Sequence, residues 1–221
     1  MDITRPLHSQ DIQSFLLWMP NWIGDVVLTL PVIQSLRRAY PVARIFVVAK
    51  SPSHELLLGH PAIDTVLILP SGPEIGFWQK VGFARSLKKY SLDVGAVFPN
   101  SFGSAFLLSL TGAKCRLGYN TDARDILLTH PVTTTTHLKK AQYRVEYYFK
   151  IFSSLKMDAP DHKFASLNAQ EGDRSIREVM LGMDLDEGEK FIALHPGTSK
   201  EERGWHAERF GILCQKLIKE D

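Results

Sequence analysis

The feature that most constrains this chain is an alternation of two residue patterns along its length. Short runs rich in branched and aromatic residues occur at 15–19, 44–49, 65–69, 92–98, 114–118 and 191–195. Between and after them lie stretches with helical spacing at 27–40, 52–58, 77–90, 104–111, 142–155, 173–181 and 207–219. Strands that alternate with helices predict right-handed crossovers around a parallel sheet, an α/β fold. Ile45-Phe46-Val47-Val48 has no polar interruption, which suits a strand buried on both faces. Tyr40-Pro41 ends the first helical stretch, because a proline disfavours helix in the residue before it.

The alternation also suggests an internal division. Met157-Asp158-Ala159-Pro160 reads as the end of a compact domain, and Asp184-Leu185-Asp186-Glu187-Gly188-Glu189 is acidic and polar. We expect a first domain over 1–165, a linker with a connecting helix over 166–189, and the start of a second domain over 190–221. One strand and one helix cannot close a core by themselves. The last segment is therefore expected to be the first βα unit of an incomplete domain, with exposed apolar surface and a tendency to aggregate.

Composition removes several classes. No apolar run approaches the ~20 residues needed to span a bilayer. Residues 1–10 are polar and lack the apolar core of a signal peptide. Cys115 and Cys214 are far apart and lack metal-ligand spacing, which predicts reduced, buried thiols in a cytoplasmic protein. The eight histidines are scattered and form no metal-binding motif, so no metal is expected. The net charge is only +2, yet residues 1–160 hold 17 Lys and Arg against 11 Asp and Glu. That excess suits an anionic partner, although the cations are dispersed and a solvated surface explains them equally well.

Three strand-to-helix turns carry polar residues, all on the carboxyl edge where open α/β sheets bind ligands. The first is Pro20-Asn21-Trp22-Ile23-Gly24-Asp25. Asp25 suits a general base acting on a hydroxyl, and Gly24 lets substrate or backbone come close. From position alone, helix capping is the simpler reading of Asp25. The second turn is Phe98-Pro99-Asn100-Ser101-Phe102-Gly103, where Asn100 or Ser101 either caps the next helix or touches ligand. Ser101 is not in a nucleophile elbow, which argues against hydrolase chemistry. The third, His195 to Trp205, either offers Thr198, Ser199, Lys200 and Arg203 to phosphate oxygens or is an ordinary βα loop in which Thr198 or Ser199 makes local bonds. None of the turns has a dinucleotide or P-loop glycine fingerprint, which disfavours an oxidoreductase.

Taken together, these segments resemble glycosyltransferase family 9, the lipopolysaccharide heptosyltransferases, and most closely the heptosyltransferase II branch. The resemblance rests on Pro20 to Val27 with Leu30-Pro31 and Leu36-Arg37, and on Pro99-Asn100-Ser101-Phe102. It continues through Arg116-Leu117-Gly118-Tyr119-Asn120, Arg124 with Leu127-Leu128-Thr129, and Val145-Glu146-Tyr147-Tyr148. It ends with His195-Pro196-Gly197-Thr198-Ser199, Arg203, Trp205 and Glu208-Arg209-Phe210.

The resemblance implies a GT-B fold of two Rossmann-like domains, the N-terminal one for acceptor and the C-terminal one for donor. It implies transfer of heptose from ADP-heptose, or a related nucleotide sugar, to the lipid A–Kdo inner core, with inversion and without metal or other cofactor. The acceptor would be an anionic glycolipid at the inner membrane surface, reached by a cytoplasmic protein lying on that surface, and no nucleic acid would be bound. By the same resemblance Asp25 is the general base, and Thr198, Ser199 and Arg203 bind the donor diphosphate. Asn21, Trp22, Gly24, Asn100, Ser101 and Arg124 are the expected acceptor contacts.

Two departures bear on the donor side. Arg203-Gly204-Trp205-His206 stands where the family has Lys-Arg-Trp-Pro, and arginine and lysine bind phosphate with different geometry. The family's later glycine-rich donor loop has no counterpart in these 221 residues. The chain by itself is therefore expected to have little transferase activity. The alternative is a non-catalytic acceptor-binding module or remnant.

Overall fold

The computed structural model describes residues 12–133, 144–160, 178–183, 192–198 and 204–219. The chain divides into two compact units, Met1–Ala169 and Gln170–Asp221.

The first unit is built on a six-stranded parallel sheet. Its strands are β1 (Ser14–Trp18), β2 (Arg44–Ala49), β3 (Thr65–Ile68), β4 (Val94–Val97), β5 (Cys115–Tyr119) and β6 (His130–Val132). Their order across the sheet is β3-β2-β1-β4-β5-β6. The chain winds outward from β1 to β3, then returns to the other side of β1 and continues to β6. The strand order therefore reverses between β1 and β4, which leaves a crevice beyond their carboxyl ends.

Side-chain alternation explains the layers. Phe15 and Leu17 of β1 pack on one face with Val26, Leu30 and Ile33 of helix α1 (Ile23–Ala39) and Val145 and Tyr148 of α4 (Arg144–Phe149). Leu16 and Trp18 pack on the other face with Val81 and Ala84 of α2 (Phe77–Ser86) and Ala105 and Leu108 of α3 (Phe102–Leu110). Every side chain of β1 is buried, as a two-faced parallel sheet requires. Gly95 of β4 allows α3 to come in closely: a Cβ there would lie 2.7 Å from Leu108 Cδ1 and 3.0 Å from Ala113 Cβ.

The opposite edge of the sheet is pinned by one carboxylate. Asp93 accepts from the backbone amides of Gln13 at 2.9 Å and Ser14 at 3.1 Å, and from Lys114 Nζ at 2.8 Å. The Ser14 hydroxyl in turn accepts from the Asp93 amide at 2.9 Å. These contacts join the starts of β1, β4 and β5.

The second unit shows a stretch over 192–198 that is neither helix nor strand, a short helical stretch over 178–182, and the helix α5 (Ala207–Lys219). The strand expected at 191–195 is not formed over its described residues, 192–195. A strand needs a neighbour to take up its backbone hydrogen bonds, and no ladder reaches this stretch among the described residues. Ile192, Ile212 and Ile218 are largely exposed.

Two other boundaries differ from expectation. Helix 52–58 is a single 3₁₀ turn at Glu55–Leu57. Helix 142–155 is α4 followed by a 3₁₀ turn at Lys150–Phe152. Strand β6 was not expected, because His130-Pro131 reads as loop; proline is tolerated there because β6 is an edge strand.

Burial alone would raise the Asp93 carboxyl, but the bonds from Lys114, Gln13 and Ser14 outweigh it and hold it below its ordinary value. The stability it contributes is then complete above the ordinary carboxylate value and is lost as pH falls through the lower folded one. Asp93→Ala should cost about 2 kcal/mol at neutral pH, read as a shift in the urea midpoint. The deficit relative to wild type should shrink in acid.

Candidate active site

The crevice at the strand reversal is walled by two turns. After β1, the chain passes through Met19, Pro20 and Asn21 and enters α1 at Trp22, the N-cap, which makes no capping side-chain bond. Asp25 is the third residue of the helix. A carboxylate in a first turn is favoured by the helix dipole. Its side chain is not spent on a cap, because both of its contacts come from α4. Tyr148 donates its hydroxyl to Asp25 Oδ1 at 2.8 Å, and Arg144 Nε lies 3.6 Å from the same oxygen. Both fall on Oδ1, and among the described residues no hydrogen bond reaches Oδ2. The carboxylate is partly exposed and lines the cleft.

Tyr148 is itself buried and packs edge-to-face on Phe98, with ring centroids 5.3 Å apart. Burial, and then the bond to Asp25, push its phenol well above the ordinary value. It therefore remains a proton donor across the physiological range.

The second wall is the turn after β4. Ser101 caps α3, its hydroxyl accepting from the Ser104 amide at 3.3 Å, while still lining the cleft. Asn100 donates to the Tyr147 hydroxyl at 2.6 Å and accepts from Arg124 at 3.2 Å. Arg124 is completely buried. Its Nε donates to the Tyr119 carbonyl at 2.7 Å, and its remaining nitrogens reach the carbonyls of Pro99 and Ser101. Tyr119 stacks on Tyr147 at 4.3 Å and donates to the Tyr147 carbonyl at 2.5 Å.

The resulting cleft is about 230 Å³ in volume. The structure brings five of the expected residues to its wall: Asn21, Trp22, Asp25, Asn100 and Ser101. Gly24 stands beside them in the first turn of α1, where a Cβ would meet nothing within 4 Å. Arg124 is placed differently from the expected acceptor contact. It lies beneath the turn, because its guanidinium makes four hydrogen bonds to carbonyl and amide oxygens around it. Thr198 lies in the second unit, in the 192–198 stretch. Ser199 and Arg203 lie outside the described residues.

Three lining residues were not anticipated: Arg144, Tyr147 and Tyr148. Their spacing of three and four residues puts them on one face of α4. Val145-Glu146-Tyr147-Tyr148 stood out in the sequence, but nothing there connects it to Asp25. Among the described residues, no three His, Cys, Asp or Glu side chains are grouped so as to hold a metal ion.

Comparisons with known proteins agree on one family. Residues 81–221 match the model of glycosyltransferase family 9 (heptosyltransferase). The lipopolysaccharide heptosyltransferase 2 of Escherichia coli (strain K12) is 33% identical over 209 residues. That match covers 91% of this chain and 59% of the relative, so the chain spans about three fifths of its length. Among solved structures, a family 9 glycosyl transferase from Veillonella parvula superposes with a TM-score of 0.78 at 17% identity, covering 98% of this chain and 61% of that one. The Escherichia coli ADP-heptose lps heptosyltransferase II superposes with a TM-score of 0.74 at 22% identity, covering 94% and 62%.

The network makes a distinction that can be measured. Arg124→Met keeps the volume but strips the donor from three carbonyls and from Asn100. It should cost about 3 kcal/mol in denaturant unfolding, the penalty of unpaired buried polar groups. Tyr148→Phe removes a single hydrogen bond and should cost no more than about 1.5 kcal/mol.

Proposed function

The chain belongs to glycosyltransferase family 9 (heptosyltransferase), and on that premise we propose that its first unit is the acceptor side of an inverting heptosyltransferase. The observation that carries the reading is the placement of Asp25. It is a carboxylate in the strand-reversal cleft, held through one oxygen by Tyr148, and among the described residues its other oxygen accepts no hydrogen bond.

In this reading the acceptor hydroxyl docks between the 20–25 and 99–101 turns. Asp25 takes its proton while the acceptor oxygen attacks the anomeric carbon of ADP-heptose. The new glycosidic bond forms as the bond from that carbon to the diphosphate oxygen breaks, and ADP leaves. A single displacement from the opposite face inverts the anomeric centre. Thr198, Ser199 and Arg203 offset the charge that develops on the diphosphate, and neither a metal nor another cofactor takes part. The acceptor is the anionic inner core of a lipopolysaccharide, lipid A–Kdo. The excess of cations in residues 1–160 favours such a partner. The site of action is the cytoplasmic face of the inner membrane. No described helix is long and apolar enough to cross a membrane.

The chain spans 59% of the curated relative. The second reading is an acceptor-binding module that performs no transfer. The two are separated by one assay: ADP-heptose and a heptose-acceptor glycolipid, with and without a chelator.

Asp25→Asn should lower any transfer rate by about 10²–10⁴-fold, the range of general-base catalysis, and leave acceptor affinity nearly unchanged. An unchanged rate would remove Asp25 as the base. Measurable acceptor binding with no transfer from the unsubstituted chain would favour the binding module.

A further inference from the structure

Helix α2 and the 3₁₀ turn that follows it, Leu87–Tyr90, have a surface that the cleft does not use. Val81, Ala84 and Leu87 face the core. The opposite side carries Trp78, Gly82 and Arg85, spaced i, i+4 and i+7, and all three are exposed. Lys88 and Lys89 follow, also exposed. Over residues 75–92 there are four cations, Lys80, Arg85, Lys88 and Lys89, and no acidic residue. Elsewhere the chain holds 22 Lys and Arg against 24 Asp and Glu, a net of −2.

The aromatic end of this surface is held in place. Trp78 is 77% exposed and Phe77 53%, yet Phe77 stacks on Phe106 at 6.0 Å and meets Trp78 edge-to-face at 5.6 Å. Phe102 of the neighbouring helix, 44% exposed, extends the apolar area. Large aromatics kept in water at one end of a cationic helix are poorly placed for a freely solvated surface. They match the needs of a membrane interface, where rings enter the headgroup boundary and cations meet anionic lipid.

We propose that residues 77–90 dock this chain onto an anionic lipid bilayer, with Phe77 and Trp78 entering the interface and Arg85, Lys88 and Lys89 lying on the headgroups. This deepens the reading of the acceptor as a membrane glycolipid, and rests on it for what the docked chain would reach. Charge complementarity selects the bilayer as occupant: a stretch with four cations and no acid is suited to a surface of like, closely spaced anions. Lys50, at the end of β2, lies close enough to Lys80 to feel its charge, and burial together with that repulsion lowers its ammonium below the ordinary value. An anion beside α2 would relieve that repulsion.

The test is co-sedimentation of the full chain with vesicles of phosphatidylglycerol and phosphatidylcholine, and with vesicles of phosphatidylcholine alone. Neither contains acceptor glycolipid or nucleotide sugar, so the result is independent of whether Asp25 catalyses transfer. The chain should partition at least about tenfold better onto the anionic vesicles, and high salt should weaken it. Trp78→Ala and the double variant Arg85→Glu, Lys89→Glu should each lower partition several-fold with thermal midpoints unchanged. Lys156→Glu, an exposed cation elsewhere in the first unit, should leave it nearly as before. If Trp78→Ala destabilises the fold, the charge-reversal variant alone decides. Equal partition onto both vesicles, no partition, or α2 variants that bind like wild type would overturn the proposal. The last of these outcomes would point to a protein or free glycan as the partner of this surface.

Discussion

The cleft depends on one buried cation. Arg124 has no access to solvent, and its guanidinium binds the end of β5 through Tyr119 and the turn after β4 through Pro99, Asn100 and Ser101. Asn100 passes the connection to Tyr147, and Tyr147 shares α4 with Tyr148, which holds Asp25. Taking a guanidinium out of water is costly, and the cost is offset only when its donors find acceptors in good geometry. Here the acceptors are mostly backbone carbonyls at strand ends. Burial pulls the group below its ordinary value, yet an arginine so placed remains a cation. The wall of the cleft is therefore a chain of fixed hydrogen bonds from the sheet edge to the carboxylate. Positioning of this kind would give the proposed base, Asp25, its geometry before substrate arrives.

Much of the fold could be read from local pattern because the forces that set it are local. Ile45-Phe46-Val47-Val48 can bury only as a strand covered on both sides, and β2 runs over the expected 44–49. The failures have equally specific causes. Strand β6 hides behind a proline that only an edge position tolerates, and an edge position is a property of the whole sheet. The stretch at 192–195 has the composition of a strand but no partner among the described residues, and composition does not supply hydrogen bonds.

The site divides along the same line. Asn21, Trp22, Asp25, Asn100 and Ser101 line one cleft, and the strand-end turns that carry them are visible in sequence. The bond from Tyr148 to Asp25 joins residues 123 positions apart, and no local pattern encodes it. Arg124 misled for a related reason. The resemblance offered it as an acceptor contact, and only the packed structure shows its guanidinium bonded to the protein's own oxygens. Asp25 itself changed character: its position in a first turn suggested a cap, whereas its partners come from α4, packed against α1 on the same face of the sheet.

The proline in β6 has one more consequence. The Val132 carbonyl accepts from the Asn120 amide at 3.0 Å, which turns Val132 toward β5. Backbone polar groups alternate along a strand, so the nitrogen of Pro131 faces the open side. That nitrogen carries no hydrogen. A strand from another molecule approaching this rim would meet a gap in the donor row where its ladder should continue. The sheet thus ends in an edge that resists growth, and this protects a flat, apolar-cored layer from joining another copy of itself.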